Sequence, residues 1–298
     1  MEKVFLDGVE GAKLALNIYE PENPVGIVQV FHGMAEHKER YDYFMNKLME
    51  AGYVAAISDM RGHGESLDST GVKGYFGKGG TENLVHDHKQ ITDYLLERYP
   101  GLPLYVFGHS MGTLNVRAWL ERYSACTNRV VLSGTVCPNG AAKLGVWIAN
   151  RQAKKLGLTG FSPIMLKLTQ AGTGGKPKPG EEFQWLSYNQ ENIKTYEADP
   201  DSGFPFMVGG YKSLFEMTAN VSKPERYKDV NKDCKILLLS GVDDPVTGGA
   251  KGLAASISNL EKAGFTVSNK VYDHMKHEIL NEDERDMVIQ DVLDFFRS

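Results

Sequence analysis

The stretch "LYVFGHSMGTL", residues 104–114, runs from a continuous apolar segment straight into Gly-His-Ser-Met-Gly. That junction commits the chain to a strand, a turn too tight for side chains on either side, and a helix. Gly108 and Gly112 permit the backbone approach, and Ser110 projects above the C-terminal edge of the sheet that holds the strand. Met111 then offers a backbone N–H at a helix N-terminus, where the dipole favours negative charge. Without a base and an acid Ser110 is a turn residue; with them it is a nucleophile.

The neighbouring sequence supplies the rest of such a sheet. "AKLALNIYE", "VGIVQVFHG", "YVAAISDM" and "RVVLSG" are short strand-like runs. Between them lie the helical patterns "YDYFMNKLMEAGY" and "TENLVHDHKQITDYLLERYP", the second capped by Thr81 and followed by Pro100. Runs of this kind alternating with amphipathic helices predict an α/β fold, a mostly parallel sheet covered on both faces. From about residue 138 to 227 no comparable buried-strand run occurs. Helical stretches "AAKLGVWIANRQAKKLG" and "SPIMLKLTQ", the connector "AGTGGKPKPGEE" and the loop-like "ADPDSGFPFMVGGY" fill it. Alternation resumes with "CKILLLSG", "GGAKGLAASISNLEKAG", "VSNKVYD" and "EDERDMVIQDVLDFFRS". A sheet interrupted and then completed implies an insertion rather than a tandem domain.

Length and charge bound the function classes. The 298 residues, 42% hydrophobic and 24% charged, suit a globular protein with a sizeable core. The net charge of -5 gives no basic footprint for nucleic acid. Three widely spaced cysteines form neither a disulfide framework nor a metal pair, and read as small hydrophobes in a reducing compartment. The N-terminus lacks the basic and apolar regions of a signal peptide, and no apolar run reaches membrane-spanning length, so a cytoplasmic protein is expected.

Serine needs a base, and the base needs an orienting acid; on a strand–Gly-x-Ser-x-Gly–helix sheet the chain order is serine, acid, histidine. After Ser110 the histidines are His274 and His277, both beyond the last strand run. His277 is preferred, because His274 directly follows the strand end. The loop after "CKILLLSG" supplies Asp243 and Asp244; Asp244 is preferred, its backbone held extended by Pro245. A second oxyanion donor is expected from the loop after an early strand, and "VGIVQVFHGMAEH" places the Met34 N–H there, beside that of Met111. His32 with His37, and His86 with His88, are weaker as metal pairs: the first loop is better explained by oxyanion geometry, and residues two apart do not share a helix face. Asp59, Arg61 and His63 in "SDMRGHGES" read as a polar cluster pinning a loop under the site.

The set "HGMAEH", "DMRGHGES", "GHSMG", "GVDDPV" and "HEILNE", in that order, resembles the α/β-hydrolase superfamily, and within it the monoacylglycerol lipase and lysophospholipase group. The resemblance covers about 1–136 and 228–298, which it makes the hydrolase core; 137–227 then corresponds to the family's helical cap. It implies Ser110 as nucleophile, Asp244 as acid, His277 as base, and the Met34 and Met111 N–H groups as oxyanion hole. No metal or cofactor is implied. The substrate would be a small acyl ester, with room for transient contact between the cap and a membrane surface. Trp147, Ile148, Phe161, Ile164, Met165, Leu166, Trp185, Phe204, Phe206 and Met207 are candidates for an acyl channel. The same triad would serve an aminopeptidase or amidase, given an acidic anchor such as Glu181, Glu182 or Glu191, or a short-chain carboxylesterase or thioesterase. Ser110 disfavours dehalogenase and epoxide hydrolase chemistry, in which similar enzymes carry Asp. A non-catalytic ligand-binding protein is disfavoured because all three triad residues are present.

Overall fold

The computed structural model describes residues 1–173 and 180–298; most of the Gly/Lys/Pro connector, 174–179, lies outside the described residues. Eight strands form one sheet: β1 (Glu2–Asp7), β2 (Lys13–Tyr19), β3 (Gly26–Phe31), β4 (Tyr53–Ser58), β5 (Leu104–His109), β6 (Arg129–Ser133), β7 (Lys235–Gly241) and β8 (Thr266–Tyr272). Their spatial order is β1-β2-β4-β3-β5-β6-β7-β8. The pairs β1–β2 and β2–β4 are antiparallel, and every pair from β4–β3 to β7–β8 is parallel.

Helices cover both faces, which is why β3 and β4 are buried along their whole length. On one face α1 (Asp42–Glu50) and α9 (Arg285–Arg297) send Phe44, Leu48, Val288 and Val292 against Val30 and Phe107. On the other, α3 (Met111–Tyr123) and α8 (Gly249–Ala263) send Trp119, Leu120 and Leu260 against Val106, Val130 and Ile236, while α2 (Thr81–Arg98) packs Ile91 and Leu95 on Leu14 and Ile27. Tyr105, Val106 and Phe107 alternate between the two faces, the period of two that a strand imposes. Both edge strands carry charges, Glu2 and Lys3 on β1 and Lys270 on β8, which discourages further pairing.

Between β6 and β7 the chain leaves the sheet and forms α4 (Ala142–Leu156), α5 (Pro163–Ala171), α6 (Gln190–Ala198) and α7 (Val208–Asn220). Ala149, Met165, Phe206, Val208, Tyr211 and Met217 bury against Met111 and Leu114 of α3. These helices therefore share a core with the helix that follows Ser110. Among the described residues no helix is long and apolar enough to cross a membrane.

The structure adjusts the sequence reading at several points. β1 was not anticipated; its half-exposed, charged pattern carries little apolar signal. Thr81 is the first residue of α2 rather than its cap: Gly80, with φ of 56°, precedes the helix, and the Thr81 hydroxyl has no hydrogen-bond partner among the described residues. The end of "ADPDSGFPFMVGGY" is helical, because burial of Val208 and Tyr211 draws α7 onto the core.

Candidate active site

The parallel strands end together, and the loops beyond them build one site. Ser110 stands between β5 and α3 with φ 51° and ψ −120°, a left-handed φ that a non-glycine residue adopts at a cost of order 1–3 kcal/mol. Its N–H donates to the Ser133 carbonyl at 3.0 Å, and its own carbonyl accepts from the Thr113 N–H at 2.9 Å and the Thr113 hydroxyl at 2.7 Å. Those bonds hold the turn. Gly112 is required here because a Cβ would lie 2.1 Å from the Phe31 carbonyl oxygen, so α3 starts hard against the end of β3.

The loop after β7 carries Asp244, almost wholly buried. One carboxylate oxygen accepts from the Val246 N–H at 2.8 Å; the other meets His277 Nδ1 at 3.0 Å. His277, 1% exposed, lies beyond β8. Burial pushes its imidazolium down, but the Asp244 charge and hydrogen bond outweigh this and the net shift is upward. Its Nε2 has no hydrogen-bond partner among the described residues. The alternatives lie elsewhere. His274 is exposed and stacks on Tyr188 with ring centroids 4.3 Å apart, and Asp243 accepts from the Tyr188 hydroxyl at 2.9 Å on the surface. The structure thus brings Asp244 and His277 together, and leaves Asp243 and His274 outside.

The loop after β3 approaches Ser110 from the other side. A Cβ at Gly33 would lie 3.2 Å from the Ser110 Cβ, so the chain passes directly beside the serine. The Gly33 N–H donates to Glu36 and the Ala35 N–H to His63 Nε2 at 3.2 Å. The Met34 N–H between them makes no protein hydrogen bond among the described residues. Both nitrogens of His32 are engaged: Nε2 accepts from the Met60 N–H at 2.7 Å, and Nδ1 meets the Gly33 carbonyl at 2.8 Å. His37 lies between Glu39 and Asp199 at 2.8 and 2.6 Å, which holds its imidazole up at about 9 despite burial. His88 stacks on Phe31. Asp59, Arg61 and His63 do brace this region, each through its own partner: Asp59 takes Lys38, Arg61 takes Asp87, and His63 takes Ala35.

Ser110, His277, Met34 and Met111 all line one cavity of about 570 Å³, within the usual range for small-molecule sites. Its walls come from the loops beyond the sheet and from the helices between β6 and β7. Of the proposed channel residues, Ile148, Leu166, Trp185 and Phe204 line it, joined by Leu144, Phe183, Leu214 and Phe215, which the sequence reading did not name. Met165 and Phe206 are instead core, and Trp147, Phe161 and Ile164 face outward, 53%, 44% and 53% exposed. Half-buried Cys137 also lines the cavity, while Cys234 is a buried core residue.

The sequence from residue 22 to 284 matches the model of the serine aminopeptidase S33 family, Hydrolase_4. The chain belongs to this family. Its fold is the α/β-hydrolase fold. It is 28% identical over 293 residues to a monoacylglycerol lipase of Mycolicibacterium smegmatis, covering 96% of this chain and 93% of that one. It is 22% identical to a phospholipase of Bacillus subtilis over 276 residues, 91% of this chain and 95% of the other. Among solved structures, a thermostable carboxyl esterase from Bacillus coagulans in complex with glycerol superposes with a TM-score of 0.91 at 27% identity, covering 99% of this chain and 97% of that one.

Proposed function

We propose that this α/β-hydrolase cleaves carboxylic esters of monoacyl lipids, monoacylglycerols or lysophospholipids, through an acyl-enzyme on Ser110. The observation that carries the reading is the cavity: one large space with mostly apolar walls, with Ser110 and His277 on its lining and Asp244 behind His277. The lipase, phospholipase and esterase names of the relatives agree with it. In the proposed cycle His277 Nε2 takes the Ser110 hydroxyl proton as the oxygen attacks the ester carbonyl. The oxyanion forms against the Met34 and Met111 N–H groups, each such donor being worth about 2.7–4 kcal/mol. The C–O bond to the alcohol breaks, the alcohol leaves with the proton from His277, and water then cleaves the acyl-enzyme by the same steps. Asp244 holds the imidazole in the tautomer with Nε2 free and stabilises the imidazolium.

In this reading 137–227 is a cap over the 1–136 and 228–298 core, and its outer face meets a lipid surface. Residues 142–173 carry Lys143, Arg151, Lys154, Lys155 and Lys167 and no acidic residue, in a chain of net charge -5. Among them Leu144, Trp147, Phe161, Ile164 and Leu168 are exposed, and Leu144 and Leu168 also line the cavity. Basic charge beside exposed apolar side chains suits an anionic interface.

The aminopeptidase reading has one specific observation in its favour, since of the three acidic anchors considered Glu182 lines the cavity. A single assay separates the two. Fatty-acid release is measured from long-chain monoacylglycerol and lysophospholipid in anionic and in neutral vesicles, beside an aminoacyl anilide. Release from the lipids, faster on anionic vesicles and absent in Ser110→Ala, is the expected result. Turnover of the anilide alone would replace the lipid reading with the peptidase one, and equal rates on both vesicle types would remove the membrane face.

A further inference from the structure

Three segments that meet at the site are joined by one guanidinium. Arg40 Nη1 donates to Glu36 at 2.7 Å and to Glu278 at 2.8 Å; Nη2 donates to the other Glu278 oxygen at 2.8 Å and to Asn192 of α6 at 3.1 Å. Its Cζ lies 4.7 Å from the Tyr196 ring centre, and the Tyr196 hydroxyl donates to the Ala35 carbonyl at 3.0 Å. Glu36 and Glu278 are each 3% exposed. Glu278 directly follows His277, and Glu36 sits in the loop that carries Met34.

A buried carboxylate–guanidinium–carboxylate set is a weak source of stability, because apolar replacements often match it. Its consequence here is geometric. One Glu36 oxygen accepts from the Gly33 N–H and, at 2.8 Å, from the Tyr41 hydroxyl; the other is held by Arg40. A Cβ at Gly33 would lie 2.5 Å from that Glu36 oxygen and 3.2 Å from the Ser110 Cβ. The Gly33 backbone is thus clamped between the carboxylate and the serine. The next peptide is fixed as well. The Met60 N–H can only donate, so His32 Nε2 accepts, and burial holds this imidazole down at about 4. Nδ1 therefore carries the proton and donates to the Gly33 carbonyl. Because that peptide is planar and trans, fixing its C=O aims the Met34 N–H the opposite way.

We propose that Glu36 is a positioning residue: held by Arg40 and Tyr41, it clamps the Gly33 N–H and thereby, with His32 on the Gly33 carbonyl, sets the following Gly33–Met34 peptide so that the Met34 N–H faces the oxyanion formed on Ser110, and Arg40 ties this setting to the turn that carries His277. The proposal rests on the reading of Ser110 as nucleophile. Its substance is a donor held in place before reaction, the condition under which an oxyanion hole acts strongly.

The test uses the full chain and a short soluble ester, with the rate of fluorophosphonate labelling measured alongside. Glu36→Gln keeps the shape but turns an amide toward Arg40 and removes the charge that holds the loop. Its expected effect is a fall in kcat of about 100-fold, with KM changed by less than about threefold and labelling slowed in parallel. Arg40→Lys, which cannot bridge two carboxylates and Asn192 at once, shifts kcat the same way by a smaller factor. A merely structural role lowers the melting temperature and leaves kcat of the folded protein unchanged. If Glu36→Gln does not fold, Tyr41→Phe removes one donor to the same oxygen and carries the test, with an expected loss of roughly fivefold in kcat at constant KM. A folded variant with kcat and labelling rate near wild type, or with only KM raised, overturns the proposal. Wild-type protein that is not labelled at Ser110 overturns the underlying reading instead, so the two failures are distinct.

Discussion

His277→Ala is expected to lower turnover on the order of 10⁶-fold, while His274→Ala stays within about threefold of wild type. The separation follows from position. His277 is buried on the wall of the Ser110 cavity and hydrogen-bonded through Nδ1 to Asp244, and its Nε2 has no partner among the described residues. The neighbouring His109, whose ring lies 4.8 Å from that of His277, is held down at about 4 first of all by burial, and so weak a base does not replace it. His274 is exposed and packs on Tyr188, so its loss disturbs a surface stack. Steady-state kinetics on a soluble ester measures both variants. Comparable losses in the two would mean that the loop beyond β8 acts as a unit and that His277 is not the base.

Asp244→Asn is expected to cost about 10⁴-fold in kcat, because an amide favours the wrong imidazole tautomer and cannot stabilise the imidazolium. Asp243→Asn leaves activity near wild type, since among the described residues the Asp243 carboxylate bonds only the exposed Tyr188 hydroxyl. The pH dependence carries a sign. Burial lowers the His277 pKa, whereas Asp244, Glu278 and Glu36 raise it, and the net shift is upward. As the proposed base His277 works only when neutral, so the acid limb of kcat/KM is expected above the ordinary imidazole value of about 6.5. Removing the Asp244 charge leaves burial as the dominant influence, and the limb moves to lower pH. A limb that stays in place in Asp244→Asn, or equal losses in the two aspartate variants, would undo the assignment.

The parallel half of the fold was legible because central strands are continuous apolar runs and the elbow fixes where a helix must follow. β1 was not, since a half-exposed edge strand such as "EKVFLD" carries little apolar signal. The helices after residue 185 were hidden for two reasons. Gly209 and Gly210 made the start of α7 read as loop, although Tyr211 and Met217 bury against α3. In α6 the signal was present but weak: Asn189 accepts from the N–H groups of Glu191 and Asn192, a cap that opens only nine residues of helix. Ser110, Asp244, His277 and the loop at Met34 were legible from chain order, because each follows its own strand. Glu36, Arg40, Asn192 and Glu278 were not, although Glu36 and Glu278 lie inside the quoted motifs "HGMAEH" and "HEILNE" and Arg40 lies three residues beyond the first. Their partners lie up to 238 residues apart in sequence, and nothing local marks that pairing. The cavity lining was half legible, since hydrophobic residues in an amphipathic insertion face the core, the cavity or the exterior according to how the helices dock.

The most direct test is fluorophosphonate labelling of the whole protein followed by peptide mapping, with wild type and Ser110→Ala side by side. The expected result is one adduct, on Ser110 in wild type, and none in the variant, with hydrolysis lost in step. An adduct elsewhere, or hydrolysis that persists in a folded Ser110→Ala protein, would contradict a nucleophile at the β5–α3 turn.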